Sequence, residues 1–381
     1  MADIRSGRLL PALACGFGLA VVGASPSARA QEGTRYPTID FSARIGTDYV
    51  SETVEAGGST FKGDDADISS IRLGVSGDVS QRISYSVSAN VAEGDLRWAE
   101  ASVRTDLGRN TTLTMGQTKT VSLGNLTSGR ATSFIERGAF NDTVGVGRQL
   151  AILGRKSGPN WTVSAALLGD NMNNPERNEH GYSARGAYTP IRTARQVLHI
   201  GAWTRHRERD AAFGYAFSDT FDSGAPVSGS AFRTREDTAY AVEGAWINGP
   251  ITVQSELAQI DARGPAGGKA RAVRTGYLSV GWLVTGGGRA YDMDQGRIGL
   301  PNRVRQANGL GVVELGARFD RVDFAPMVGP GGYQTWTFGV SWYSKPWVRL
   351  SANYTLADAS GPAGRGPVEA RKFHLRAQAD F

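Results

Sequence analysis

From Thr38 to the end of the chain, apolar and polar residues alternate in runs of roughly ten, the period of a β-strand rather than of a helix. Val348, Leu350, Ala352, Tyr354 and Leu356 alternate with Arg349, Ser351, Asn353 and Thr355. Trp336, Phe338, Val340 and Trp342 do the same against Thr335, Thr337, Gly339 and Ser341. Sixteen such segments can be drawn, at 38–49, 68–77, 82–92, 96–105, 111–117, 148–157, 160–169, 181–188, 196–207, 236–247, 250–260, 271–284, 311–320, 334–343, 346–357 and 371–381. Tight connections at Asp78 to Gln81, Gly158-Pro159, Asn248-Gly249 and Ser344-Lys345 alternate with long ones at 118–147, 208–235 and 358–370. An even strand count with short turns at one end and long loops at the other is the rhythm of a bacterial membrane barrel. One connection, 285–310, is long where a short turn is expected.

A soluble sandwich would use the same alternation with its apolar faces inward, so the polar face decides. That face carries Ser, Thr, Asn, Gly and Arg, and the whole chain has only six Lys. The last strand alternates Phe373, Leu375, Ala377, Ala379 and Phe381 with Lys372, His374, Arg376, Gln378 and Asp380, ending on an aromatic as outer-membrane barrels do. Trp161, Trp282, Trp342, Trp347 and Tyr354 sit near strand ends, where interfacial girdles form. The expected fold is all-β: a 16-stranded antiparallel transmembrane barrel, whose closure satisfies every backbone hydrogen bond in lipid.

The first thirty residues are a separate matter. Arg5 and Arg8 precede an apolar stretch from Leu9 to Val22, and Ala28-Arg29-Ala30 offers a small-x-small cleavage site, so 1–30 reads as a secretory signal and 31–381 as the barrel. Cys15 lies inside the apolar stretch, and its removal leaves 351 residues without cysteine and a net charge of +4. Beyond the leader no apolar run approaches the roughly 20 residues of a membrane-spanning helix. Fifty glycines among 381 residues, without a three-residue period, also argue against long helices.

With the apolar phase outward, the opposite phase lines a lumen. It holds Arg44, Arg72, Arg104, Arg185, Arg205, Arg207, Arg318, Arg349 and Arg376, together with Asp40, Glu100, Glu243, Glu256, Glu314 and Asp320. Arginine stays charged and offers a planar fork of donors to oxyanions. Two readings stay open: a pore biased toward anions, or a neutral solvated lining of a general diffusion pore in which carboxylates cancel the arginines. Arg318, between Glu314 and Asp320, is expected to be paired, while Arg44 and Arg72 have fewer acidic neighbours.

The segment GQTKTVSLGNLTSGRATSFIERGAF, from Gly116 to Phe140, resembles the constriction loop of the phosphate-selective porin O and P family. The resemblance extends through EGDLRWAEASVRTDLGRNTTLTMGQ before it, YAVEGAWINGPITVQSELA from Tyr240, GYLSVGWLVTGGGRAY from Gly276, VVELGARFDRVDF from Val312 and WTFGVSWYSKPWVRLSANYTLAD from Trp336. It implies a homotrimer of barrels in the outer-membrane lipid, each with an inward-folded constriction loop and a basic ladder that passes small anions such as phosphate. It also implies that the long turn 285–310 enters the lumen, bringing Arg289, Arg297, Arg303 and Arg305. Lys119, Leu126-Thr127-Ser128 and Glu136-Arg137 match the family motif, which makes Lys119 the expected constriction residue, supplemented by Arg130, Arg137 and Arg148. The family's phosphate-selective members cluster several lysines where this loop has one, so the resemblance implies anion preference more than phosphate specificity. Arg137 is either an ion contact or the partner of Glu136.

Other chemistries find little support. The four histidines, His180, His199, His206 and His374, lack metal-ligand spacing. His206, expected to point outward, has no convincing serine partner for a barrel lipase. Gly57-Gly58 and Gly286 to Gly288 lack the following Lys-Ser or Lys-Thr of a phosphate loop. The basic residues are spread over every strand rather than gathered for nucleic acid. No cofactor is expected.

Overall fold

A strand with one apolar and one polar face can satisfy both only if the sheet separates two environments, and a closed sheet does so without leaving an edge. The computed structural model describes residues 35–381 apart from 93–94, 139, 142–145, 176–177, 216–231, 264–270, 303–310, 324–331 and 361–366. The leader expected at 1–30, with Cys15, and also Arg303 and Arg305, lie outside the described residues.

The strands are β1 (Asp40–Ala56), β2 (Ser59–Asp78), β3 (Ile83–Ala92), β4 (Asp95–Gly108), β5 (Thr111–Lys119), β6 (Arg148–Ser157), β7 (Trp161–Leu168), β8 (His180–Arg192), β9 (Gln196–Tyr215), β10 (Phe232–Asn248), β11 (Ile251–Arg263), β12 (Arg271–Leu283), β13 (Arg289–Asp292), β14 (Arg297–Pro301), β15 (Val312–Asp323), β16 (Gly332–Lys345), β17 (Val348–Ser360) and β18 (Val368–Asp380). Sixteen of them form one closed antiparallel barrel, with β12 pairing directly to β15 and β1 closing on β18. Each of the sixteen expected segments falls on a barrel strand. β13 and β14 form a separate two-stranded hairpin, which is how the long connection 285–310 is used.

One expected gap does not exist. The interval 50–67 between the first two segments is strand except at Gly57 and Gly58, which turn the chain within two residues at φ of +59° and +79°. Two successive positive φ values are what a tight hairpin turn demands and what glycine allows at least cost.

The outward face is apolar. Tyr240, Val242 and Trp246 on β10, Leu278, Val280 and Trp282 on β12, and Trp336, Phe338 and Val340 on β16 are all exposed, while their alternating neighbours are buried. Trp282, Trp347 and Tyr354 of the expected girdle are exposed as well. Inside, packing is unequal around the wall. Val121, Leu123 and Phe140, from the β5–β6 connection, join Trp203, Ile260, Tyr277 and Val322 in one buried cluster, and Phe140 stacks on Tyr277 with ring centroids 4.5 Å apart. Burying a side chain of this size contributes about 1.5–3 kcal/mol, so these contacts fasten the connection to the wall, and the cluster continues through Val54 on β1, Ala357 on β17 and Val368 on β18.

Candidate functional site

The β5–β6 connection leaves the wall at Lys119 and threads across polar-phase side chains of distant strands. Gly124 sits at φ +74°, where a Cβ would come 2.9 Å from the Arg137 guanidinium, and its N–H donates to both Glu256 oxygens at 3.1 and 3.2 Å. Thr127 donates to Gln254 at 2.6 Å. Farther along, Ser133 donates to Glu314 at 3.0 Å and its carbonyl accepts from Ser341. Arg318 donates to the Glu136 carbonyl at 2.9 Å, Lys372 to the Glu136 carboxylate at 2.8 Å and Arg376 to the Ile135 carbonyl at 3.2 Å. One connection therefore touches β11, β15, β16 and β18.

The β13–β14 hairpin meets it. Leu126 and Ile298 bond through their backbones, and Thr127 and Ile298 form a parallel bridge. Leu126 and Ile298 are fully buried together with Val197, Ala245 and Ile247. Arg289 ties three elements at once: it pairs with Glu314 on the wall and donates to Ser133 and the Ala131 carbonyl of the connection and to the hairpin's own Gly299 carbonyl. Its pKa rises, since burial pushes it down but Glu314 and Tyr343 outweigh that. The hairpin tip is held by Arg185, which donates to the Gln295 and Gly296 carbonyls at 2.9 and 2.6 Å, and by Tyr291, whose hydroxyl meets His199.

Two polar cavities remain along the β1–β8 and β17–β18 side. The first, of about 430 Å³, is bordered by Arg44, Arg72, Arg97, Arg349 and Arg376 with Asp95, and by Thr132, Phe134 and Ile135 of the connection. The second, of about 440 Å³, is bordered by six cations, Arg104, Lys119, Arg148, Arg155, Arg185 and Arg297, and by one carboxylate, Glu100. Arg72, on the border of the first cavity, lies within electrostatic reach of Arg148 on the second and of Arg44.

The structure sorts the expected lining residues by what faces them. Arg44 pairs with Asp380 at 2.6 Å, a carboxylate brought beside it only when β18 closes on β1. Arg376 pairs with Asp48 at 2.5 Å and Arg185 with Glu243 at 2.6 Å, while Arg148 pairs with Glu100 at 3.0 Å. Arg205 and Arg207 are only 1% and 6% exposed, with Asp237 lying directly across from Arg207 on β10 and pairing with it at 2.6 Å. The sequence places these two on the pore wall, but they are sealed against β10 and border neither cavity. Arg318 is held by Asp320 at 2.8 Å and lies 4.7 Å from the Phe134 ring centroid, the pairing expected of it. Arg349 donates to Ser341 and Arg72 to Asn90. Arg130 is exposed and 3.5 Å from Asp380. Among the described residues, Lys119, Arg104 and Arg155 have neither an ion pair nor a hydrogen bond to their side chains.

Of the two readings of Arg137, the bond to Glu136 is not the one formed. Glu136 contacts Lys372 and His374, and although burial pushes its carboxyl up, His374 and Lys372 outweigh this and hold it at about 2. Arg137 donates instead to the Thr127 carbonyl at 3.3 Å. Burial pushes its pKa down against the pull of Glu256 and Tyr277, and burial with Arg185's charge does the same to Arg297 against Asp292. Positive groups held this way gain from any anion that approaches.

Arg155 is the residue the sequence reading missed. β6 carries apolar residues on both faces, with Ala151 and Leu153 buried and Leu150 and Ile152 exposed, so alternation does not reveal which face is wet. Arg97, beside Asp95 in the first cavity, and the internal His199 also escaped it. Among the described residues there is no cluster of three His, Cys, Asp or Glu able to hold a metal ion.

The family model for phosphate-selective porin O and P matches residues 41–381. The chain belongs to that family. It is 27% identical to Porin O of Pseudomonas aeruginosa over 46% of this chain and 47% of that protein, and 25% identical to an uncharacterized Caulobacter vibrioides protein over 78% of this chain and 63% of that one. It therefore spans about half to under two thirds of the length of these relatives. Among solved structures, the trimer form of OmpT, an outer membrane protein of Vibrio cholerae, superposes with a TM-score of 0.58 at 11% identity, covering 91% of this chain and 99% of that one. An anion-selective porin from Comamonas acidovorans superposes with a TM-score of 0.55 at 11% identity, covering 91% and 100%. Both likenesses are of fold.

Proposed function

We propose that this family member is an outer-membrane channel for passive diffusion of small anions, with 120–147 and the β13–β14 hairpin narrowing the bore. The observation that carries this reading is the second cavity, where five arginines and Lys119 border one space with a single carboxylate, Glu100. A unit charge about 4 Å from an anion is worth roughly 4 kcal/mol at an effective dielectric of 20, less where salt screens it. Arg104 and Arg155 are the charges on which the bias rests, since neither forms an ion pair among the described residues, and Lys119 lies beside them in the same cavity. The preferred solutes are small oxyanions, phosphate among them, which match the forked donors of the arginines. Export by a signal at 1–30 and assembly as a homotrimer belong to the same reading, supported by the apolar outer face and by the trimer form of OmpT.

A general diffusion pore is the second reading. It is favoured by the pairing of six of the nine wall arginines, Arg44, Arg185, Arg205, Arg207, Arg318 and Arg376, with carboxylates. The zero-current potential of the purified protein across a KCl gradient in a planar bilayer, repeated with phosphate, separates the two. An anion-signed potential with conductance reduced by phosphate supports the selective pore and a binding site. A potential near zero, or of cation sign, sinks it in favour of the general pore.

A further inference from the structure

Two neighbouring strands give up an inward side chain at the same level. Gly316 on β15 and Gly339 on β16 are directly paired, between the pair Glu314 with Ser341 and the pair Arg318 with Thr337. Neither glycine has a positive φ, so what they supply is room rather than backbone freedom. A glycine inside a strand often marks the close approach of another part of the chain. Here the approaching group is Phe134 of the β5–β6 connection. A Cβ on Gly316 would come 2.9 Å from Phe134 Cζ, and one on Gly339 would come 3.0 Å from its Cδ1. The ring is 3% exposed, with the Arg318 guanidinium against it.

The residues around Phe134 keep step with the same two strands. Ser133 bonds to Glu314 and Ser341, one level to one side of the glycine pair, and the Glu136 carbonyl accepts from Arg318, one level to the other. Segment 133–136 therefore lies along β15 and β16 with the ring sunk between the glycines. The hydrogen bonds fix its position along the strands. Its distance from the wall is set by the fit of the ring, because close-packed contacts yield little. Phe134 and Ile135 also share the border of the first cavity with Arg44, Arg72 and Arg97, so the depth of the ring decides how much of the lumen that cavity takes.

We infer that Phe134 is a positioning residue for permeation: its seat between Gly316 and Gly339 sets the width of the bore and with it the largest anion that passes. This rests on reading the protein as an anion channel narrowed by 120–147. The two sides of the seat act with opposite sign. Without the ring, the segment settles toward the wall and the bore widens. A methyl group on Gly316 meets the ring first, and otherwise only the Val280 carbonyl at 3.6 Å, so it drives the ring toward the lumen and the bore narrows.

The test is the single-channel conductance of the purified full chain in planar bilayers, with KCl and with potassium gluconate. Phe134→Ala raises the conductance about twofold and raises the gluconate-to-chloride permeability ratio, while Gly316→Ala lowers both. In the double variant G316A/F134A the glycine substitution changes nothing further, since its methyl group has no ring to push. Effects that simply add in the double variant overturn the proposal. Conductance unchanged in both single variants overturns it too, even where their melting temperatures fall, because the seat would then be packing alone. Should Phe134→Ala not fold, Phe134→Leu, which has no atom at the Cζ position, carries the same cycle. A wild type that conducts with anion sign while the cycle fails overturns this inference alone, whereas a wild type with a potential near zero or of cation sign overturns the anion reading beneath it.

Discussion

The two sides of the lumen use the same residue type to opposite ends. On the β9–β16 side, Arg205, Arg207 and Arg318 on the wall and Arg289 on the inserted hairpin are buried in ion pairs. On the other side, Arg72, Arg104, Arg155 and Lys119 border open cavities without a carboxylate partner among the described residues. An inward-pointing arginine is thus not by itself a pore charge. Whether it acts on a solute or on the fold depends on what covers it and which carboxylate the next strand presents.

Substitutions can break that contrast, starting with the largest effect. Arg289→Ala leaves Glu314 buried without its partner and cuts the tie between connection, hairpin and wall, so it should cost about 3–5 kcal/mol of barrel stability, read from unfolding in detergent. A melting curve like that of the wild type would remove Arg289 from this role. Leu126→Ala removes a fully buried side chain packed on Ile298 and should cost about 2–5 kcal/mol. If the connection is held as described, its proteolytic sensitivity should rise with the loss.

Charge changes on the open side should act on permeation instead. Lys119→Glu places a negative charge near Arg148 and Arg297 and should lower the anion-to-cation permeability ratio about tenfold, a difference near 1.4 kcal/mol. Reversal potentials that stay unchanged would show that Lys119 is outside the permeation path. Arg318→Gln makes the matching control on the sealed side, with stability expected to fall while the reversal potential stays put.

The smallest effect is a pH dependence. Glu136 titrates at about 2 rather than its ordinary 4.5, so its contribution is complete above about pH 4.5 and is lost as pH falls toward 2. Because its side chain is one-third exposed, the loss is about 1 kcal/mol or less. Single-channel noise should grow on acidification through that window and be flat between pH 5 and 8 as far as this group is concerned. Noise that grows only between pH 6 and 8 would point to a histidine instead.

The barrel was legible in the sequence because alternation encodes which face of a strand meets lipid, and most of the sixteen segments carried that signal. The site was legible only in part. The arginine phase could be read off, since polarity marks the inner face, whereas Lys119 was named from its match to the family motif. Pairing could not, because Asp380 reaches Arg44 across the closure of first and last strands and Glu136 reaches Lys372 across the lumen. Arg155 was hidden by a strand with apolar residues on both faces, and the Gly57-Gly58 turn by a polar stretch, including Asp64, Asp65 and Asp67, that carries no lipid-facing pattern.

The bridge between Thr127 and Ile298 also bears on how the protein comes to be. Its halves belong to the connection after β5 and to the hairpin before β15, with seven of the barrel's sixteen strands, β6 to β12, between them along the chain. Contacts this distant along the chain form late. The bore should therefore start wide and narrow as a final step, and a chain halted before that step would be a closed barrel that leaks.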